Sequence, residues 1–384
     1  MKLAFVTGSL VHGGAERQTI TLLNRLAERG HECHAAYVKD DASQLGRLVG
    51  AASVQCLDAQ RYLDFQALSR LAGLFRKIRP AVILAANPYA LLYAALARRH
   101  ARSDAPLAVT FHTTVPASTK EWLQLFYYRP FFRSADRLVF VCDAQRRYWS
   151  ARRLGSRRDE VIYNGVDLEH WRPRPPAERA MIRRVLALEA GDFVVGMCAV
   201  LRPEKNHLQL LESIARLRAR GIPARALLVG DGPQRSRIEA RARALGLAAA
   251  VQITGYQQDV RPLIGACDAM ALCSTAVETF SLAALEAMAL ARPVVHAELG
   301  GAADMIASGR DGWLFPVGDT AALVGRLAAL ADPAARGRMG AAARATVEAR
   351  FSERAMVERY ESTFLELDSN RSTRENLRRR AAAY

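Results

Sequence analysis

The chain has 384 residues, 51% hydrophobic and 24% charged; this excludes a wholly disordered polypeptide and, at roughly 100–200 residues per domain, favours two domains. No apolar run approaches the roughly 18–20 residues needed to cross a bilayer, and the apolar stretch after Lys2 is shorter than the roughly 7–15 of a secretory leader, so a cytoplasmic protein is expected. The 54 basic residues exceed the 38 acidic ones, a formal +16; this excludes a generic acidic enzyme and calls for an anionic partner, unless the excess is compositional, since only five of the basic residues are lysine.

In chain order, Leu3–Thr7 reads as a buried strand ending at Gly8. A helix over Ala15–Arg29 follows, with Ile20, Leu23, Leu26 and Ala27 on one face and Gly30 as its stop. Then come a strand at His31–Val38, a helix at Leu63–Arg79, a strand at Ala81–Ala85, a helix at Pro88–Arg99, a strand at Leu107–Phe111, a helix around 119–133 and a strand at Arg137–Val141. Strands apolar throughout and separated by amphipathic helices predict parallel sheets covered on both faces. The turn Asn164-Gly165 and the Pro-rich Trp171-Arg-Pro-Arg-Pro-Pro176 predict a linker. The pattern restarts with strands at Phe193–Val200, Ala226–Val229, Val251–Thr254, Ala269–Leu272 and Pro293–His296, and helices at Leu208–Arg220, Gln234–Leu245 and Ser281–Leu290. Ser352–Leu367 reads as a final helix, followed by a basic tail over 371–384. The expected domains are 1–166 and 177–350, both open α/β, with 351–384 as a helix packing back toward the first domain. The six cysteines form no C-x-x-C pair and read as buried thiols of a reducing compartment.

Ligands of open α/β sheets bind in loops at the carboxyl ends of strands, and the motifs fall there. The first is Gly8-Ser-Leu-Val-His12-Gly13-Gly14-Ala-Glu16-Arg17, where a strand ends, glycines follow and a helix begins. Its glycines permit close approach of a ligand, or they make only a tight turn; the spacing is not the G-x-G-x-x-G of a dinucleotide site. The second is Ser274-Thr-Ala-Val-Glu278-Thr-Phe280-Ser281-Leu282-Ala-Ala-Leu-Glu286. Glu286 is the only charge in an otherwise apolar helix, so its carboxylate is buried and needs donors, which ribose hydroxyls or Arg292 would supply. Ser281 lies where a helix N-cap is expected, and N–H groups near Phe280–Leu282 face an anion. The third is Val200-Leu-Arg202-Pro-Glu-Lys205-Asn-His207, whose lysine is the only one after Lys120 and suits a phosphate.

Taken together, G-G-A-E-R, the Asn164-Gly-Val-Asp167 turn, R-P-E-K-N, Gly230-Asp-Gly-Pro233, E-x7-E at Glu278 and Glu286, Gly300-Gly301 and Gly318-Asp319 resemble, in this order, glycosyltransferase family 4 of the GT-B fold. The resemblance covers about residues 3–366. It implies two Rossmann-like domains facing across a cleft, and retaining transfer of a sugar from a UDP- or GDP-sugar. It implies that Glu286 holds the ribose, that Glu278 contacts the donor sugar, and that His112 of Thr110-Phe-His-Thr-Thr-Val-Pro116 is the family's loop histidine; read from the residues alone, His112 also fits a strand-end cap. Gly14, Lys205, Phe280, Ser281 and Leu282 match the family's diphosphate site. The family arginine falls on Val200, and Arg202 is the candidate in its place. Gly230, Asp231 and Tyr256 lie toward the base, and His12, Gly13 and Arg17 toward the acceptor. Thr279 and Ser281 stand where glycine is common, and Asp304 where glutamate is usual.

No D-x-D sequence occurs, so no metal and no cofactor is expected. Residues 98–158 hold thirteen basic residues against four acidic, including Trp122-Leu-Gln-Leu-Phe126-Tyr-Tyr-Arg129-Pro-Phe131-Phe132-Arg133. Such a stretch suits an anionic membrane surface, or it is a core helix with a basic outer face; no nucleic-acid module is visible. The expectation is a peripheral enzyme at the inner face of the cytoplasmic membrane, acting on a glycan or lipid-linked acceptor in polysaccharide or lipopolysaccharide assembly. The alternatives are a nucleotide-sugar epimerase on the same frame and a non-catalytic sugar-nucleotide-binding subunit.

Overall fold

The computed structural model describes residues 1–11, 13–114 and 119–381, except the side chains of 119–121 and 374–381. The chain forms two compact units: Met1–Asn164 with Ala355–Tyr384, and Gly165–Arg354.

The first unit carries strands β1 (Lys2–Thr7), β2 (Glu32–Tyr37), β3 (Ser53–Cys56), β4 (Val82–Ala86), β5 (Leu107–Phe111), β6 (Arg137–Phe140) and β7 (Asp159–Val161) in the spatial order β3-β2-β1-β4-β5-β6-β7. Every pairing is parallel, with Leu3 opposite Cys33 on one side and Val82 on the other. Its helices are α1 (Gly14–Glu28), α2 (Phe65–Ile78), α3 (Asn87–His100), α4 (Thr119–Ser134) and α5 (Asp143–Ser150). Successive β1 side chains point to opposite faces. Ala4 and Val6 join a core with Leu71, Phe75, Leu91, Tyr93 and Phe132, whereas Leu3 and Phe5 join one with Leu22, Leu26, Tyr360 and Phe364.

The second unit carries β8 (Phe193–Cys198), β9 (Ala224–Val229), β10 (Val251–Ile253), β11 (Ala269–Leu272), β12 (Val294–Ala297) and β13 (Trp313–Phe315), in the order β10-β9-β8-β11-β12-β13 and again all parallel. Its helices are α6 (Pro176–Val185), α7 (His207–Ala219), α8 (Arg235–Ala244), α9 (Arg261–Ala266), α10 (Leu282–Ala289), α11 (Ala302–Met305), α12 (Thr320–Ala329) and α13 (Pro333–Arg350). In both units the strand order reverses beside the first strand, the place where such sheets open a ligand crevice.

Side-chain caps fix where several helices begin. Asp64 accepts from the N–H groups of Gln66 and Ala67 at the start of α2, and Asp332 from Ala334 and Ala335 at the start of α13. Asp268, nearly fully buried, gathers Arg179 (2.8 Å), Arg183 (3.1 Å) and Arg336 (3.3 Å) and accepts the N–H of Val194. It thereby joins α6 and α13 to the sheet.

The sequence-based assignment lacks β3, β7 and β13, as well as α5, α6, α9 and α11–α13. The final helix α14 (Glu353–Ala381) continues well beyond Leu367 into the stretch expected to be a tail. All six cysteines are free thiols. No helix among the described residues is long and apolar enough to cross a membrane.

Candidate active site

In the second unit, the loops after β8 and β11 converge. Pro203–Lys205 is a single 3₁₀ turn, and Asn206 (φ 54°) redirects the chain into α7. Thr275 N–H donates to Glu204 O at 2.9 Å, tying this turn to the β11–α10 loop. Lys205 Nζ then donates to Glu278 Oε2 at 2.8 Å, and Ser274 Oγ donates to the same oxygen at 3.1 Å. Burial alone would raise the Glu278 pKa. The charges of Lys205 and His296 and the two hydrogen bonds outweigh it, and the carboxyl lies below its ordinary value.

The backbone around Glu278 is held from below. Val277, a β-branched residue, adopts φ 54°. Gly300 (φ +59°) lies so close that a Cβ there would sit 2.2 Å from Glu278 O, and Gly301 N–H donates to Thr279 O at 2.7 Å. Only glycine fits at 300. Ser281 is the N-cap of α10, its Oγ accepting from Ala284 N–H. The N–H groups of the first turn emerge at this end. Phe280 packs edge-on against Phe351 at 5.3 Å, and Glu286 is buried one turn into α10. Arg202 precedes Lys205 in the same turn, exposed and 4.0 Å from Glu204.

The Gly230–Pro233 loop packs on the exit of β8: a Cβ on Gly230 (φ +143°) would meet Ala199 O at 2.1 Å, and Leu201 N–H donates to Asp231 O. The Gly232 N–H and Arg235 hold the exposed Asp231 below the usual carboxylate range. Tyr256 is largely exposed.

In the first unit, Gly13 caps α1 in an extended conformation and Gly14 opens the helix. The Glu16 carboxyl folds back beside Gly13, where burial raises its pKa. Arg17 N–H donates to Gly13 O. His12 lies outside the described residues. His112 follows β5, and its N–H donates to Asn87 Oδ1 at 3.1 Å. Asn87 itself adopts φ 71° where β4 passes into α3. Burial pulls the His112 imidazole down to about 4, so the ring is neutral at pH 7. The His112 loop is clamped by α5: fully buried Gln145 donates to Phe111 O and Thr113 O and accepts from Val141 N–H, while Trp149 Nε1 donates to Thr113 O.

Sequence reasoning missed Ser274, His296, Asn87 and Gln145. His296 lies next to the end of β12, opposite Leu272 of β11 and buried, with Nδ1 donating to Ala297 O at 2.6 Å. Burial holds its pKa down, against the pull of Glu278. A lone histidine in Pro293-Val-Val-His296 carries no motif. Ser274 lies four residues before Glu278 in the same motif, and its residue type alone does not mark it; Asn87 and Gln145 show their role only through contacts between distant loops.

The Glu278 pair makes stability depend on pH. Because the folded pKa is lowered, its stabilisation is present above the ordinary value of 4.5 and is lost as pH falls through the folded value. Lys205→Met leaves a buried carboxylate without its cation. Losing one partner of a fully buried pair costs roughly 3–5 kcal/mol; this pair is part-exposed, and about 2 kcal/mol is expected at pH 7. The gap in melting temperature from wild type should narrow as pH falls below 4.5 and through the lowered folded value, where the carboxyl protonates. A gap that does not change with pH contradicts the pair's assignment.

The model described as Glycosyltransferase Family 4 matches residues 12–170, and that described as Glycosyl transferases group 1 matches residues 178–346. EpsD of Bacillus subtilis, named as a glycosyltransferase, is 30% identical over 287 residues, 73% of this chain and 74% of its own. The lipopolysaccharide core biosynthesis glycosyltransferase LpsD of Rhizobium meliloti is 26% identical over 363 residues, 92% of this chain and 95% of its own. The crystal structure of Anabaena HepE in complex with UDP matches with a TM-score of 0.86 at 24% identity, over 95% of this chain and 100% of that one, and shares the fold. The chain therefore belongs to glycosyltransferase family 4 and has the GT-B fold.

Proposed function

We propose that this glycosyltransferase moves a sugar, with retention of configuration and without a metal ion, from a nucleotide-sugar donor to a glycan acceptor, lipid-linked, in assembly of a cell-surface polysaccharide or lipopolysaccharide. The Lys205–Glu278 pair at the N-terminal end of α10 carries the proposal. As the nucleoside diphosphate departs, negative charge builds on its oxygens. The N–H groups at Phe280–Leu282 are fixed beforehand and stabilise that charge without reorganising, and Lys205 and Arg202 add positive charge beside them. The diphosphate draws Lys205 from Glu278, whose carboxylate then turns to the donor sugar. Glu286 takes the ribose hydroxyls, and Gly230, Asp231 and Tyr256 flank the base. On the first unit, which receives the acceptor, neutral His112 serves as a hydrogen-bonding partner and not as a cation.

The family match, with HepE structures holding UDP and UDP-glucose, supports a nucleotide-sugar donor. The names of LpsD and of WcaL, a colanic acid biosynthesis protein of Escherichia coli, support polysaccharide assembly. UDP release from UDP-glucose in excess EDTA tests the reaction. It should persist; loss that Mg²⁺ restores contradicts metal independence. Glu286→Ala should weaken UDP binding about ten- to a hundred-fold, the roughly 1.5–3 kcal/mol of a charged hydrogen bond. Unchanged binding in a folded variant removes the ribose assignment.

The membrane part of the proposal rests on α4. Its inner face (Leu125, Tyr128, Phe132) is core, whereas Leu123, Phe126 and Tyr127 are exposed and Arg129 lies over the Phe126 ring at 5.2 Å. Trp122 and Phe131 pack partly into the core. An aromatic face with adjoining arginine suits an anionic interface, where each basic residue contributes about 1 kcal/mol. Co-sedimentation with anionic but not neutral vesicles, weakened by Phe126→Ser, is expected. Absence of sedimentation at low salt contradicts it.

A further inference from the structure

Among the described residues, nine non-glycine residues have positive φ. Five of them, Arg79, Arg102, Arg153, Ala187 and Ala291, follow the last turns of α2, α3, α5, α6 and α10, where a left-handed residue is an ordinary stop. The other four are Asp58 (φ 48°), Asn206 and Val277, in loops that follow strand ends, and Asn87, where β4 passes straight into α3. Three adjoin site residues: Asn87 holds the His112 N–H, Asn206 follows Lys205, and Val277 precedes Glu278. Such conformations cost stability and persist where the surroundings require them, often at functional loops. Asp58 is the fourth, and it belongs to no part of the donor site.

Asp58 lines a cavity of about 470 Å³ at the carboxyl ends of β2 and β3, with Lys39, Asp40, Gln60, Arg61 and Tyr62 as its other polar walls. This lies on the same edge of the first sheet as the glycine loop. Lys39 N–H donates to Gly8 O at 3.0 Å, and Leu10 N–H to Asp41 O at 2.7 Å. The Tyr62 ring lies 5.2 Å from that of Tyr89, which Lys39 Nζ approaches at 5.7 Å. Asp58 accepts from Gln60 Nε2 at 2.6 Å. Among the described residues, no ion pair joins the two cations to the two carboxylates, although all four face one cavity.

The four charges sum to zero, so the cavity offers no net attraction to an ion of either sign. It suits a ring of hydroxyls, which donate to carboxylates and accept from ammonium, guanidinium and amide N–H groups, while an aromatic ring takes the ring's C–H face. The volume falls within the roughly 300–1,000 Å³ of small-ligand pockets. We infer that the cavity walled by Asp58, Arg61, Lys39 and Tyr62 is a subsite for a neutral sugar unit of the acceptor, away from the reacting hydroxyl. The inference rests on the acceptor-side role proposed for the first unit.

Saturation-transfer NMR on the full chain tests it, with cellobiose, maltose and chitobiose as neutral probes and a heparin disaccharide as the anionic one. Asp58→Gly removes the carboxylate while accepting the left-handed backbone without strain, so that it folds; Arg61→Ala removes the guanidinium. At least one neutral disaccharide should bind wild type, with its Kd raised about tenfold or more in each variant. The inference is overturned if none of them binds, if both variants bind as wild type does, or if the heparin disaccharide binds best. UDP titration of the wild type reports separately on the donor. Failure there removes the donor reading, and the sugar titrations still decide this one.

Discussion

A lysine and a glutamate 73 residues apart meet at 2.8 Å beside the N-terminus of α10, and the loops of the second unit are shaped around that meeting. The 3₁₀ turn at Pro203–Lys205 presents the ammonium. Val277 accepts an unfavourable backbone so that Glu278 can face it, and Gly300 leaves the space that the Glu278 carbonyl needs. Ser274 and His296 bear on the same carboxylate from the ends of β11 and β12. A carboxylate this buried stays ionised only because these groups compensate for lost water. The same arrangement supplies a cation where a diphosphate would need one.

The fold was legible where burial is complete. Runs such as Leu3–Thr7 and Ala269–Leu272 are apolar on both faces and read directly as central parallel strands. Ser53–Cys56, Asp159–Val161 and Trp313–Phe315 are short edge strands, only partly buried; the first alternates over just four residues and the others have three, too short for a period or an apolar run to stand out. The site divides in the same way. Glu278, Glu286, Lys205 and Ser274 sit in short local motifs, whereas Asn87, Gln145 and His296 act on residues brought near by the fold. Nothing in the spacing of Gln145 announces that it holds the loop of His112, 33 residues before it in the chain.

The excess of arginine has a partly internal explanation. Asp268 gathers three guanidinium groups, Asp136 holds Arg98 and Arg157, and Glu366 holds Arg137 and Arg158. In each case one carboxylate serves several arginines, whose planar forks also reach backbone carbonyls such as Ala266 O. Arg98, Arg137, Arg157 and Arg158 of the basic stretch at 98–158 are therefore held in internal ion pairs, whereas Arg129 lies over Phe126 on the exposed face of α4.

The most direct measurement is the affinity of UDP for Glu278→Gln beside wild type. On the proposed reading, Glu278 competes with the donor's phosphate for Lys205. Glutamine keeps the size of the side chain and removes the charge, so the lysine is released and UDP should bind more tightly, by about tenfold if the competition amounts to about 1.4 kcal/mol. Equal or weaker binding of UDP by a folded Glu278→Gln contradicts the assignment of Lys205 as a diphosphate-binding cation that Glu278 holds in reserve.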